Sequence, residues 1–364
     1  MRSVRVRAAC IAVWAVMAIA AASAQAAAAD AYYRGKRLTV LVNFAAGGPT
    51  DIEGRLFARH IGRHIEGAPS IIVQNMDGAG GLTGTSYLGE VAPRDGTMLG
   101  YLTGAAWLFI TAPNRHRTDF RSYEFVAYQP GTTVYYVRTD VAPGLHEATD
   151  IVKARGLITG GLSADSSKDL LIRLTLDMLG VPFKYVTGYR SNQNARLALQ
   201  QGEINLFAES PPGYRSVVEP SLVKNGTVIP LYYDPGWNGE SFSVPKQVDG
   251  LSVLPFQEFY QKIKGAPPSG RLWDVYLASL AVNAAMQRMV VLPPGAPPEA
   301  VDALRAAVLR LNNDPAFAEE AMSALGFVPT YEASPQTSRQ VRQALTVAPE
   351  IRTFVLDYIK NANK

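Results

Sequence analysis

The chain has 364 residues, of which 48% are hydrophobic and 18% charged, with a formal net charge of +4 at pH 7. Arg2, Arg5 and Arg7 supply most of that excess, and no later block of basic residues is long enough to argue for nucleic acid. Cys10 is the sole cysteine, so a chain processed beyond it has no disulfide, no thiolate metal site and no cysteine nucleophile.

The first residues read as a leader. The three arginines precede an apolar run from Ala8 to Ala22, and Ala22-Ser-Ala24 and Ala24-Gln-Ala26 are small-x-small cleavage sites. The run is about 15 residues, short of the ~20 that span a bilayer. Cys10 lies at its start, where a lipoprotein acceptor would not be. A cleavable signal peptide over residues 1–26 is therefore expected, which places the remaining body outside the cytoplasm. That body of about 335 residues favours two domains over one. It has no second stretch of 18 consecutive apolar residues.

Strand-like and helix-like stretches then alternate. Leu38–Phe44 is a short apolar, β-branched run that ends in Ala45-Ala-Gly-Gly-Pro-Thr-Asp51, and Ile52, Leu56, Phe57, Ile61 and Ile65 recur at helical spacing. Ser70–Gln74 reads as a strand, Asp77–Gly84 as a glycine-rich loop before a short helix to Val91, and Met98–Thr103 as a third strand. The pattern predicts a sheet covered on both faces by helices.

It restarts after Tyr128. Strands are predicted at Thr133–Val137, Leu157–Gly160, Phe183–Val186, Ile204–Ala208 and Val228–Tyr232. Helices are predicted at His146–Ala154, Ser167–Leu179, Asn192–Gln200 and Gly213–Val223. Asp234–Gly270 is rich in Pro and Gly and reads as irregular. A helix at Arg271–Met286, a strand at Met289–Leu292 and helices from Pro298, at Pro315–Leu325, Ser334–Leu345 and Pro349–Lys360 complete the chain.

Three loops carry the chemistry. In Ala45–Asp51, two glycines let backbone approach a ligand, and Thr50 or Asp51 can cap a helix whose first amides are free to bind an anion. Asp77-Gly-Ala-Gly-Gly-Leu-Thr-Gly84 lacks the dinucleotide spacing, since Thr83 stands where the last glycine belongs. Thr159–Lys168 again joins a strand to a helix, with Ser166, Ser167 and Lys168 as anion-binding candidates. Ser163 sits in a near nucleophile elbow, but His60, His64, His116 and His146 all precede it, against the order of an α/β-hydrolase.

Tyr189 could stack on a ligand, and Arg190 could pair with a carboxylate. Asp77, Asp95, Asp165 and Glu209 are candidates for an acid–base pair that sequence cannot assemble. His60 and His64 share a helix face, but Arg59 and Arg63 beside them repel a cation, so a solvated basic face and no metal are expected.

Taken in order, Val42-Asn-Phe-Ala-Ala-Gly-Gly-Pro-Thr-Asp51 with Arg55, Asn75-Met-Asp-Gly-Ala-Gly-Gly-Leu-Thr-Gly84, Pro93-Arg-Asp-Gly-Thr-Met-Leu99 and Leu292-Pro-Pro-Gly-Ala-Pro-Pro298 carry a family likeness. They resemble the substrate-binding proteins of tripartite tricarboxylate transporters, the Bug-type extracytoplasmic solute receptors. The resemblance implies a periplasmic binding protein-like α/β fold, a two-domain Venus flytrap whose domains are each a mixed or parallel sheet flanked by helices. Residues 31–128 plus 289–364 would form domain 1 and 129–288 domain 2, with the ligand cleft between them.

By matching motif, the resemblance carries over Gly47, Gly48, Thr50, Asp51, Gly80, Gly81 and Thr103 as ligand-binding residues. The reading of the residues themselves adds Ser163, Ser166, Ser167, Lys168, Tyr189 and Arg190 as ligand-binding candidates in the second domain. Here the chain departs from the family, with Ala164-Asp-Ser-Ser-Lys168 where a Gly-Ser-x-x-His-like turn is usual. The implied protein is a monomeric receptor without cofactor or catalysis that captures a small organic anion, a carboxylate, and delivers it to membrane transporter subunits. Two alternatives are a secreted serine hydrolase that uses Ser163 and a sensor accessory that docks on a receptor kinase.

Overall fold

The computed structural model describes residues 32–111, 115–283 and 286–362; the expected leader, residues 1–26, lies outside them. The first part of the chain runs β1 (Arg37–Val42), α1 (Pro49–Ile61), β2 (Ser70–Asn75), α2 (Leu82–Glu90), β3 (Met98–Thr103), α3 (Ala105–Thr111) and β4 (Glu124–Gln129). β1 buries Leu38, Val40, Leu41 and Val42. α1 starts with Pro49, whose fixed φ and missing N–H suit a first turn, and buries Leu56, Phe57 and Ile61.

The middle of the chain supplies β5 (Val134–Arg138), β6 (Leu157–Gly161), α4 (Ser167–Leu179), β7 (Phe183–Thr187), α5 (Asn192–Gln201), β8 (Leu206–Glu209) and β9 (Val228–Tyr233). Next come a small hairpin, β10 (Gly236–Trp237) and β11 (Phe242–Ser243), then β12 (Leu254–Pro255), α6 (Phe256–Lys264) and α7 (Arg271–Asn283). β13 (Arg288–Leu292), α8 (Pro298–Leu311), α9 (Pro315–Leu325), α10 (Thr337–Ala344) and α11 (Pro349–Lys360) finish it.

Two sheets result. The first has the order β2-β1-β3-β13-β4 and the second β12-β9-β5-β8-β6-β7. β1 is parallel to β2 and β3, whereas β13 runs antiparallel to β3 and β4. In the second sheet β6 is parallel to β7 and β8, and β5 is antiparallel to β8 and β9. Both sheets are mixed, because β13 returns to the first from far along the chain and β5 enters the second as a neighbour of two later strands.

The two lobes are not separate cores. α7 packs on α4 from one lobe and on α3 from the other, and α11 packs on α3 and α7. Their apolar residues, among them Ala105, Trp107, Leu170, Leu174, Val275, Leu280 and Val355, belong to one buried cluster.

Several elements differ from the sequence reading. The stretch expected as a helix at His146–Ala154 is a 3-10 segment, Ala148–Lys153, with the Asp150 carboxylate accepting from the N–H groups of His146 and Glu147. The helix expected at Gly213–Val223 is a single turn, Pro211–Gly213, running into a π-helix, Tyr214–Val223. Pro220 inside it has no N–H and its ring collides with the preceding turn, which disrupts regular α-helical bonding. β4, α3 and α6 carried no usable signal. α3 is a short apolar run without helical periodicity, and α6 lies inside the Pro- and Gly-rich stretch, where burial of Phe256 and Phe259 selects it.

Candidate functional site

A cavity of about 110 Å³ lies where loops of the two lobes meet. Its first-lobe wall is organised by Asn43, a buried residue at the end of β1. Its Nδ2 donates to the carbonyls of Thr103 (2.9 Å) and Gly81 (3.2 Å), and its Oδ1 accepts from the Thr103 N–H (3.0 Å). One amide side chain thereby ties together the loops after β1, β2 and β3. The hydroxyls of Thr50 and Thr103 lie 3.0 Å apart beside them.

The Gly47–Asp51 turn is held from behind. Asp51 accepts from the Gly47 N–H (2.8 Å), from Arg55 (2.9 Å) and from Asn75 (2.8 Å), and Arg55 also donates to Asn75 (2.9 Å). Gly48, in extended conformation, is the N-cap of α1 and provides no side-chain cap, so the α1 amides of Thr50 and Asp51 face outward without an intrahelical acceptor. Gly80 and Gly81 have φ of 67° and 98°, in the left-handed region that favours glycine.

The second-lobe wall is made by two capped helices. Ser166 caps α4 by accepting from the Asp169 N–H, and Ser191 caps α5 by accepting from the Asn194 N–H. Lys168 lies in the first turn of α4, with its Nζ donating to Asn192 (2.9 Å) and standing 4.0 Å above the Phe207 ring and 4.0 Å from Asp169. Burial pulls its pKa down, opposed by Asp169 and Glu209. Asp169 accepts from the Ser163 N–H and the Tyr185 hydroxyl, both at 2.9 Å, and burial pushes its pKa up.

The far side of the cavity is where the chain passes between the lobes. Arg288 in β13 is buried against Glu53 of α1, also buried, and reaches Ser210 at 3.3 Å. Burial raises the Glu53 pKa, and the Arg288 charge pulls it back. Gln287 donates to the Thr132 carbonyl (2.6 Å), and the Thr132 hydroxyl donates to the Asp234 carbonyl (2.6 Å).

Three helix N-termini therefore converge on the cavity, those of α1 through Gly48–Thr50, α4 through Ser166–Lys168 and α5 through Ser191–Asn192. Each presents free amides and the positive end of a helix dipole, and Lys168 adds its side-chain nitrogen. Phe44, Leu108, Leu162, Leu171 and Leu280 give the remainder an apolar lining. The arrangement suits an anionic head on a small apolar body.

Of the residues expected from sequence, Gly48, Thr50, Gly80, Thr103, Ser166, Ser167 and Lys168 line the cavity. Gly47 and Asp51 shape the first loop, and Gly81 contacts Asn43; none of the three is in the lining. Ser163 also stays behind it, with its hydroxyl donating to Asp165, so this serine meets a carboxylate and not an imidazole. Tyr189 packs beside the apolar cluster of the second lobe. Arg190 is 85% exposed and lies 3.8 Å from Asp77 across the two lobes. A long exposed arginine at a loop tip is better solvated than aimed inward.

The histidines are elsewhere. His60 is 2% exposed and bonds Glu320 at 2.6 Å, and His64 bonds Asp314 at 2.9 Å, which corrects the solvated face expected for them. α9 brings those carboxylates from 250 or more positions away, a contact that the helix spacing of His60 and His64 could not reveal. Asp77, Asp95, Asp165 and Glu209 are likewise dispersed, engaged with Arg190, Thr97, Arg115 and Arg196 respectively.

Sequence reasoning missed Thr132, Thr133, Ser191, Asn192, Ser210, Asp234, Gln287 and Arg288 in the lining. Ser191 before the predicted α5 was a readable N-cap signal, and Asn192 follows it as the first residue of that helix; the others lie at or near strand ends whose placement is a tertiary matter.

No protein-family model matches the chain. Over 183 residues it is 30% identical to the UPF0065 protein in the TAR-I ttuE-ttuC' intergenic region of Agrobacterium vitis. That stretch is 49% of this chain and 51% of the relative, so the chain spans about half the length of the curated relative it matches. Among solved structures, the periplasmic binding protein BugD is similar with a TM-score of 0.64 at 19% identity, covering 91% of this chain and 98% of its own. MatC (Rpa3494) from Rhodopseudomonas palustris, solved with bound malate, is similar with a TM-score of 0.61 at 17% identity, covering 91% of this chain and 99% of its own. By fold the chain is thus a two-lobed α/β protein like the periplasmic binding proteins, and over about half its length it is similar to a UPF0065 protein.

Proposed function

We propose that the protein is a periplasmic receptor that captures a small organic anion, a carboxylate, and delivers it to a tripartite tricarboxylate-type membrane transporter. The observation that carries this reading is the convergence of three helix N-termini and Lys168 on one cavity between the lobes. Free amides and helix dipoles bind a carboxylate without the desolvation cost of a dedicated ion pair. Residues 31–128 plus 289–364 and residues 129–288 form the two domains of this reading, and the ligand favours the closed state by contacting both. The malate held by MatC supports a carboxylate as the ligand class. Among the described residues no helix is long and apolar enough to cross a membrane, and the reading requires none. It is a reading of capture without catalysis.

A thermal-shift screen of the ligand-stripped protein tests it. A bound solute stabilises by about 2.7 kcal/mol at one hundred times its dissociation constant. A selective shift with one class of carboxylate, confirmed by calorimetry, is the expected result. A flat response to mono-, di- and tricarboxylates in folded protein would sink the proposal.

A further inference from the structure

The charges around the cavity do not balance locally. Arg288 is matched by Glu53, and the Arg196 outside the lining is matched by Glu209. Lys168 stands 4.0 Å from Asp169. At the passage between the lobes no such match is made. Asp234, 2% exposed, lines the cavity, and among the described residues no lysine, arginine or histidine pairs with it.

The Asp234 carboxylate is met by two phenols and by the Thr133 side chain. Tyr135 donates to Oδ2 at 2.8 Å and Tyr276 to Oδ1 at 2.9 Å. Its backbone is fixed as well, with its N–H donating to the Thr133 carbonyl at 3.0 Å. Each carboxylate oxygen can accept a further hydrogen bond. A buried carboxylate without a counter-ion is costly, and neutral donors offset that cost only in part. Burial accordingly lifts the Asp234 pKa to about 7.

We propose that Asp234 is a specificity-determining residue that accepts a protonated amino group of the ligand, so that the solute is a small zwitterionic acid. This rests on the receptor reading above and narrows it. The carboxylate end of such a solute meets Lys168 and the helix amides, its ammonium end meets Asp234, and Leu171 and Leu280 line its apolar body. A plain dicarboxylate would instead place a second negative charge beside Asp234.

Calorimetry with acids matched in pairs tests the assignment: aspartate against succinate, 4-aminobutyrate against butyrate, and 4-(aminomethyl)benzoate against 4-methylbenzoate. At least one amino-bearing member is expected to bind tenfold or more tightly than its partner. Asp234→Asn should abolish that preference while leaving the circular dichroism spectrum unchanged. Equal or tighter binding of the acids that lack the amine overturns the assignment and leaves the receptor reading standing. Equal weakening of both members by Asp234→Asn assigns the residue to structure alone and also overturns it. No binding by any acid overturns both readings. The comparison of pairs on the unaltered protein decides the question even if the variant fails to fold.

Discussion

On the first-lobe side of the cavity stand Gly48, Pro49, Thr50, Gly80, Thr103 and Gly104; on the second-lobe side stand Ser166, Ser167, Lys168, Ser191, Asn192 and Ser210. The first set offers mostly backbone, held in place by Asn43, Asp51 and Asn75 from behind. The second offers hydroxyls, an amide and a lysine. Backbone amides treat one carboxylate much like another, whereas side chains differ in reach and charge. In the proposed receptor, general recognition of an acid would belong to the first wall, and discrimination among acids to the second wall and to Asp234.

The comparison can be broken most forcefully at the joint between the walls. Glu53→Ala leaves Arg288 buried and unpaired, and should cost about 3–5 kcal/mol in chemical denaturation, with Glu53→Gln costing less. A smaller loss would mean that the joint is more hydrated than its geometry indicates.

The next effect is a pH dependence. The folded-state pKa of Asp234 is about 7 against an ordinary 3.8, so the folded protein binds more protons than the unfolded one between those values. Stability from this group is fully present below about pH 4 and is lost as pH rises through about 7, with a slope of at most about 1.4 kcal/mol per pH unit. The neighbours that face it are Tyr135, Tyr232, Tyr276, Thr132 and Thr133. Melts of the ligand-free protein should show this component, and Asp234→Asn should remove it.

Lys168→Met keeps the length of the side chain and removes the charge. A charge-assisted hydrogen bond contributes about 1.5–3 kcal/mol, so affinity for the acid should fall roughly ten- to a hundredfold. Thr50→Ala, on the backbone-built wall, should cost only a few-fold, and a larger loss there would reverse the proposed division.

Gly81→Ala tests the scaffold behind that wall. An added Cβ would lie 2.5 Å from Asn43 Nδ2, at a φ of 98°. A loss of about 1–3 kcal/mol is expected from the strain and the displaced Asn43, together with weaker binding. Arg190→Ala should do least. With its side chain 85% exposed, affinity should change by less than about twofold.

Much of the first wall was legible because its causes are local. Gly47-Gly48-Pro49 must turn and begin a helix, Gly80-Gly81 must adopt positive φ, and Ser166 must cap α4; each is a matter of a few neighbouring residues. Local signals also placed β3 at Met98–Thr103 and α4 at Ser167–Leu179 on their observed ends. The same signals also picked out Ser163 and Arg190, which lie outside the cavity lining, because a polar residue in a strand–helix loop has the same local pattern whether it faces the cavity or turns away.

By itself, then, the sequence determined where backbone could approach a ligand and which helix starts could receive an anion. Tertiary structure alone decided which charges are matched. Glu53 and Arg288 are 235 positions apart, Tyr135 and Asp234 are 99 apart, and Tyr276 is 42 beyond Asp234. These pairings depend on the antiparallel return of β13 to the first sheet and on α7 packing across both lobes. Burial strengthens electrostatic interactions and penalises an unmatched charge, and a residue's burial depends on the packing of the whole chain.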